Sequence, residues 1–106
     1  MIVSGGENVY PAEVERVLRE HPAVADVAVI GVPHPRWVET PVAYVVTAAG
    51  QRVPAESELV AHCRGRLASY KKPSAVRFVD RLPRNAAGKV LKRNLRTRDD
   101  GKLQLN

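Results

Sequence analysis

Along this chain the apolar and polar positions fall into short runs whose period changes from segment to segment. The opening "MIVSGGENVY" places short apolar stretches on either side of a Ser-Gly-Gly-Glu-Asn centre, the pattern of a tight hairpin or loop between two short strands. "PAEVERVLREH" then switches to helical spacing, with Val14, Val17 and Leu18 at i, i+3 and i+4. Pro11 suits a first helical position, and Glu13 and Glu15 ahead of Arg16 and Arg19 complement the helix dipole. His21-Pro22 should end this helix, because a residue before proline avoids helical backbone.

Residues 23–32, "AVADVAVIGV", are so dense in Val and Ile that they read as a strand buried on most of both faces. "PHPRWVET" reads as a turn, "PVAYVVTA" as a second strand antiparallel to the first, and "AGQRVP" as its exit loop. Leu59, Cys63 and Leu67 recur at i, i+4 and i+8, which predicts a second helix from Ala55 to Ala68. Gly65 inside it would cost about 1 kcal/mol against alanine. "YKKP" stops that helix, "AVRFVD" supplies a third strand, and a loop leads to a short helix around Leu91 to Arg96. The expected fold is α+β, a small sheet of about three strands covered by helices, plus an N-terminal hairpin, all in one domain over residues 1–106.

Charge adds an asymmetry that periodicity does not show. Through Ala61 there are four Lys/Arg against eight Asp/Glu; from His62 onward there are thirteen against three, for a net charge of +6 overall. The second half therefore either faces an anionic partner or presents a solvated basic face. The single cysteine, Cys63, excludes an internal disulfide and, on the apolar stripe of the second helix, reads as a small buried hydrophobe. No apolar run reaches the length of a membrane span, and no basic region leads into an apolar signal segment. These features fit a soluble, cytoplasmic domain.

The candidate chemistry gathers in "LPRNAAGKVLKRNLR", residues 82–96, where Lys89 follows four residues of little bulk, Asn-Ala-Ala-Gly. A phosphate-binding P-loop is excluded by spacing, because Pro83 stands five residues before Gly88 and Val90 follows the lysine. "SGGEN" does not open a helix from a strand as a dinucleotide site requires. His21, His34, His62 and Cys63 have no metal-ligand spacing, so no metal site is expected in this chain. A nucleic-acid module is a second reading of the basic half, but the stacking aromatics it needs are reduced to Tyr70 and Phe78, with Phe78 on a presumed core strand. The remaining reading of Lys89 is a protonated lysine on a flexible loop, delivered into the active site of another domain to stabilise charge on a phosphate.

"MIVSGGENVYPAEVE" and "LPRNAAGKVLKRNLR", with "GVPHPRW" and "LASYKKP" between them, resemble the C-terminal domain of the adenylate-forming acyl-CoA synthetases, in order and over essentially the whole chain. That superfamily also holds the luciferases and the adenylation domains of nonribosomal peptide synthetases. The resemblance implies an AMP-forming acid:CoA ligase acting on a fatty or aryl acid. ATP activates the acid as an acyl-adenylate, and the thiol of coenzyme A then displaces AMP. It also implies a larger N-terminal domain in the same protein, which binds ATP and the acid together with Mg2+, while the small domain swings to show a different face for each step. Lys89 matches the family's catalytic lysine, with Gly88 supporting its loop. Gly6, and Gly5 beside it, match the loop that lies along the pantetheine arm. Arg64 matches an arginine that some acetyl-CoA synthetases of the family use near the coenzyme A nucleotide, and Lys71 and Lys72 would add to that phosphate field. Acylation of Lys89 by a lysine acetyltransferase, reversed by a deacetylase, would remove its charge and silence the first step.

Two departures accompany the resemblance. The family's hinge segment, phosphate loop and acyl pocket do not occur among these residues, so the expectation is a fragment or excised domain that is inert alone. Val38 stands where relatives carry glycine in "WGE", which brings the local turn geometry into question. Within the superfamily, a domain that loads a carrier protein is the competing reading; outside it, a stand-alone polyanion-binding module is.

Overall fold

The computed structural model describes residues 1–68 and 71–99. Five strands and three helices follow one another as β1 (Ile2–Ser4), β2 (Glu7–Val9), α1 (Pro11–Arg19), β3 (Val24–His34), β4 (Val38–Thr47), α2 (Glu56–Cys63), β5 (Ala75–Phe78) and α3 (Lys92–Asp99). The α+β expectation holds, with a larger sheet. β3 and β4 form a long antiparallel ribbon, β1 pairs antiparallel with β2 and touches β4 through Ser4 and Val38, and β5 runs parallel to β4 from Val42 to Val45. The N-terminal hairpin is thus part of the sheet rather than an appendage. "PHPRWVET" is mostly strand, because His34 pairs with Val38 and only residues 35–37 turn.

Side chains of a strand alternate between faces, and β3 uses both. Val27 and Val29 join Val14, Val17, Leu18, Leu59 and Cys63 in a core under α1 and α2. Ala28, Ile30 and Val32 face the other way and pack with Tyr44, Leu82 and Leu95 beneath α3 and the segment leading to it. This is why the Val/Ile run reads as continuous: neither face meets water.

Two further sequence expectations are corrected. α2 stops at Cys63, not Ala68: Arg64 turns extended (φ −64°, ψ 137°) and Gly65 takes φ +77°. Leu67 keeps its helical spacing because it still packs on the first core, but it enters from the turn that its N–H closes onto the Cys63 carbonyl (3.0 Å). The stop signal expected at "YKKP" begins at Tyr70, which lies outside the described residues. Phe78 is not in the core; it is 36% exposed at the end of β5, so burial cannot be used to remove it as a stacking platform. No described helix is long and apolar enough to cross a membrane.

Candidate functional site

Lys89 sits at the end of a closed hairpin. Arg84 and Val90 pair across its base, and the N–H groups of Asn85 and Gly88 donate to the carbonyls of Lys89 and Asn85, each at 2.9 Å. The Asn85 side chain fills the turn: its Oδ1 accepts from the Ala87 N–H at 3.0 Å and the Lys89 N–H at 2.9 Å. Asparagine organises turns this way because its carboxamide imitates a peptide group. Gly88 contributes φ +85°, which a Cβ would strain. The flexible loop expected from sequence is therefore a built turn; Ala86 and Ala87 make its tip narrow, not loose. Lys89 is exposed, and among the described residues its ammonium has no hydrogen-bond or ion-pair partner.

The hairpin borders an open groove of about 730 Å³ that Lys89 shares with Arg19, Arg84, Lys92, Arg93 and Arg96. Glu15 also lines it, but its Oε2 accepts from the Val29 N–H at 2.9 Å and the Lys92 Nζ at 3.0 Å, so its charge is already matched. The groove presents a positive field suited to an anion.

Gly5 lies in a different place. With Ser4, Trp37, Thr40, Lys72 and Ser74 it lines a cleft of about 330 Å³ at the junction of β1, β4 and β5. Gly5 has φ +59° and its N–H donates to the Trp37 carbonyl at 3.0 Å. That same carbonyl accepts the Glu39 N–H at 2.9 Å, closing a three-residue γ-turn around Val38, whose φ is +73°. A β-branched residue at positive φ is a real outlier, and a γ-turn of this hand is strained. The turn forms despite the valine, at a cost in backbone strain. His34 supports it, its Nδ1 accepting from the N–H groups of Arg36 (3.0 Å) and Trp37 (3.1 Å) while its ring stacks on the indole with centroids 4.2 Å apart.

The sequence-nominated residues thus divide. Gly5 and Lys72 share the cleft; Gly6, next to Gly5 at φ +82°, has open space where a Cβ would be. Lys71 turns to α1 and pairs with Glu13 at 2.9 Å. Arg64 is exposed at the end of α2 and lines neither cavity. Ser4 pairs with Val38 at one end of β4, whereas Asp26, which holds Arg84, pairs with Val46 near the other. That eight-residue step spans roughly 26 Å of strand at about 3.3 Å per residue, so the Lys89 groove and the Gly5 cleft lie at opposite ends of the ribbon.

Sequence reasoning missed Asn85, Arg84 and Trp37. Asn85 had a signal, an asparagine three residues before a glycine in a run of small residues; the roles of Arg84 and Trp37 depend on contacts no local pattern carries. Hydrogen bonding from Arg52 holds the Glu58 carboxyl below its ordinary value, and burial pushes the Cys63 thiol up. Among the described residues no group of three or more His, Cys, Asp or Glu could hold a metal ion.

Comparison with known proteins matches residues 13–89 to the family model described as the AMP-binding enzyme C-terminal domain. A feruloyl-CoA synthase from Amycolatopsis is 55% identical over 98 residues, 92% of this chain and 20% of that protein. A fatty acyl CoA synthetase from Mycobacterium tuberculosis superposes with a TM-score of 0.90 at 45% identity, covering 98% of this chain and 20% of that one. An o-succinylbenzoate CoA synthetase from Bacillus subtilis, solved with its acyl-adenylate intermediate, gives 0.82 at 50% identity, covering 89% and 19%. The chain spans about a fifth of the length of the curated relatives it matches. Nothing in these comparisons supports a carrier-loading domain or a nucleic-acid module.

Proposed function

Since this chain belongs to the AMP-binding enzyme C-terminal domain family, we propose that it serves as the mobile C-terminal domain, over residues 1–106, of an AMP-forming acid:CoA ligase. The reading joins it to a larger N-terminal domain of the same protein that holds ATP and the acid. A carboxylate oxygen attacks the α-phosphorus and pyrophosphate departs; the thiol of coenzyme A then attacks the acyl carbonyl and AMP departs. Magnesium would travel with ATP, bound by its phosphates and by parts of the protein outside this chain.

The observation that carries the reading is Lys89, an exposed cation at the end of a closed hairpin with no partner among the described residues. Delivered to the nucleotide, its ammonium would stabilise negative charge on the carboxylate and phosphate oxygens as the bond forms, with little reorganisation because the backbone is already set. Gly5, Gly6 and Lys72 would instead meet coenzyme A: glycine permits close approach of the pantetheine arm, and the lysine attracts phosphate. Lys71 and Arg64 would act at longer range. The two faces are separated by most of the length of the sheet, so one active site cannot use both without reorientation of the domain; this supports a swing between half-reactions. A fatty or aryl acid is the proposed substrate class, with the named CoA ligases leaning towards aryl acids. A cytoplasmic setting, and a lysine acetyltransferase and deacetylase acting on the accessible Lys89, belong to the same proposal.

The test uses the full-length enzyme. Lys89→Ala should slow adenylate formation, measured by pyrophosphate exchange, on the order of 10²-fold or more, and Lys89→Gln, which imitates acetylation, should do the same. Thioester formation from supplied acyl-adenylate should be spared. Equal loss in both half-reactions would remove Lys89 from the role.

A further inference from the structure

Arg84 reaches two acceptors at once. One guanidinium nitrogen, Nη1, donates to the carbonyl of Gly88 at 2.7 Å; the other, Nη2, binds the Asp26 carboxylate on β3, 58 residues away in sequence. Asp26 is itself held, because its Oδ1 accepts the Val27 N–H at 2.9 Å. Its direction follows from a break in register: Val24 pairs with Thr47 but Asp26 with Val46, leaving Ala25 as an extra residue. Such a bulge re-aims the side chains beside it.

The Gly88 carbonyl belongs to the peptide unit whose nitrogen is that of Lys89. That nitrogen donates to Asn85 Oδ1 at 2.9 Å. A peptide unit is planar, so holding its oxygen through Arg84 and its N–H through Asn85 fixes the plane from both sides. The orientation of that plane sets where the Lys89 side chain leaves the backbone. We propose that Arg84, anchored by Asp26, is the positioning residue for Lys89: it ties the catalytic hairpin to the edge strand of the sheet so that the ammonium arrives at a set place when the domain docks. The proposal rests on the reading of Lys89 given above.

The arrangement calls for arginine. A guanidinium is a planar fork with several N–H groups directed apart, able to serve a carboxylate and a carbonyl together, whereas an ammonium is a single compact charge. Small misplacement of a reacting group is costly in rate, while the pair itself is partly exposed and should matter little to stability.

In the full-length enzyme, Arg84→Met should lower the turnover of adenylate formation about 10-fold, with the KM for ATP unchanged and thioester formation from supplied acyl-adenylate retained. That retained step shows that the variant is folded. Arg84→Lys, the milder change, should fall nearly as far, and Asp26→Asn should move in the same direction. The deciding comparison is made in the Lys89→Ala background, where Arg84→Met should cost nothing more, because its effect passes only through the lysine. A further 10-fold loss there would mean that Arg84 acts on substrate directly, and full activity of Arg84→Met beside a crippled Lys89→Ala would mean that the hairpin needs no anchor; either overturns the proposal alone. A Lys89→Ala enzyme with normal adenylation would instead overturn the reading of Lys89.

Discussion

Val38 gives a test of backbone strain that can be worked from geometry. Its φ of +73° places a β-branched side chain where L-residues rarely go, and its side chain recovers little by burial, since the residue is 69% exposed. Replacing it by alanine keeps a Cβ, so most of the strain stays. Replacing it by glycine removes the strain, worth about 1–3 kcal/mol for a residue held in a sparsely populated region. Against this, glycine loosens the unfolded chain and costs about 0.4–1 kcal/mol relative to alanine. The net difference is on the order of 1 kcal/mol in favour of Val38→Gly over Val38→Ala, or roughly 4–8 °C in Tm for a domain of this size. Urea and thermal unfolding of the three chains would measure it. At an ordinary strand position the ranking is reversed, with alanine the more stable, so Val38→Ala equal to or above Val38→Gly would show that the γ-turn is not strained as argued.

Leu95→Ala should destabilise the chain by about 2–5 kcal/mol, because Leu95 is fully buried in the core beneath α3; hydrogen exchange should show protection lost first in α3 and the Lys89 hairpin, and a loss well under 1 kcal/mol would contradict that packing. Glu58 gives a pH prediction. Its folded-state carboxyl titrates below its ordinary value of 4.5, chiefly through Arg52 and also through His21, so the charged form is favoured by folding. The stabilisation is complete above that value and fades as the pH falls through the folded pKa. The stability gap between the native chain and Glu58→Gln should therefore close in acid; a gap that widens in acid would reverse the assignment.

How much of this was legible in advance depended on the range of the interaction involved. The spacing of Val14, Val17 and Leu18 determined the buried face of α1, and the unbroken Val/Ile run determined that β3 would be covered on both sides, since periodicity reports directly how often the chain meets water. The motif around Lys89 likewise pointed to the family without coordinates, and the family model matches residues 13–89. Local pattern misled where a residue reached the core by another route: Leu67 kept the spacing of α2 but arrives from a turn, and Phe78 looked interior yet ends a short strand at the surface.

What the sequence determined by itself, then, was element type, the charged second half and the family, because each is carried by neighbours in the chain. Tertiary structure alone decided that Val38 must bend backwards beside Gly5, that the two candidate faces sit at opposite ends of one ribbon, and that Asp26 and Arg84 meet across 58 residues. Those facts come from strand register and from a bulge, and register is set by the packing of the whole sheet rather than by any segment within it.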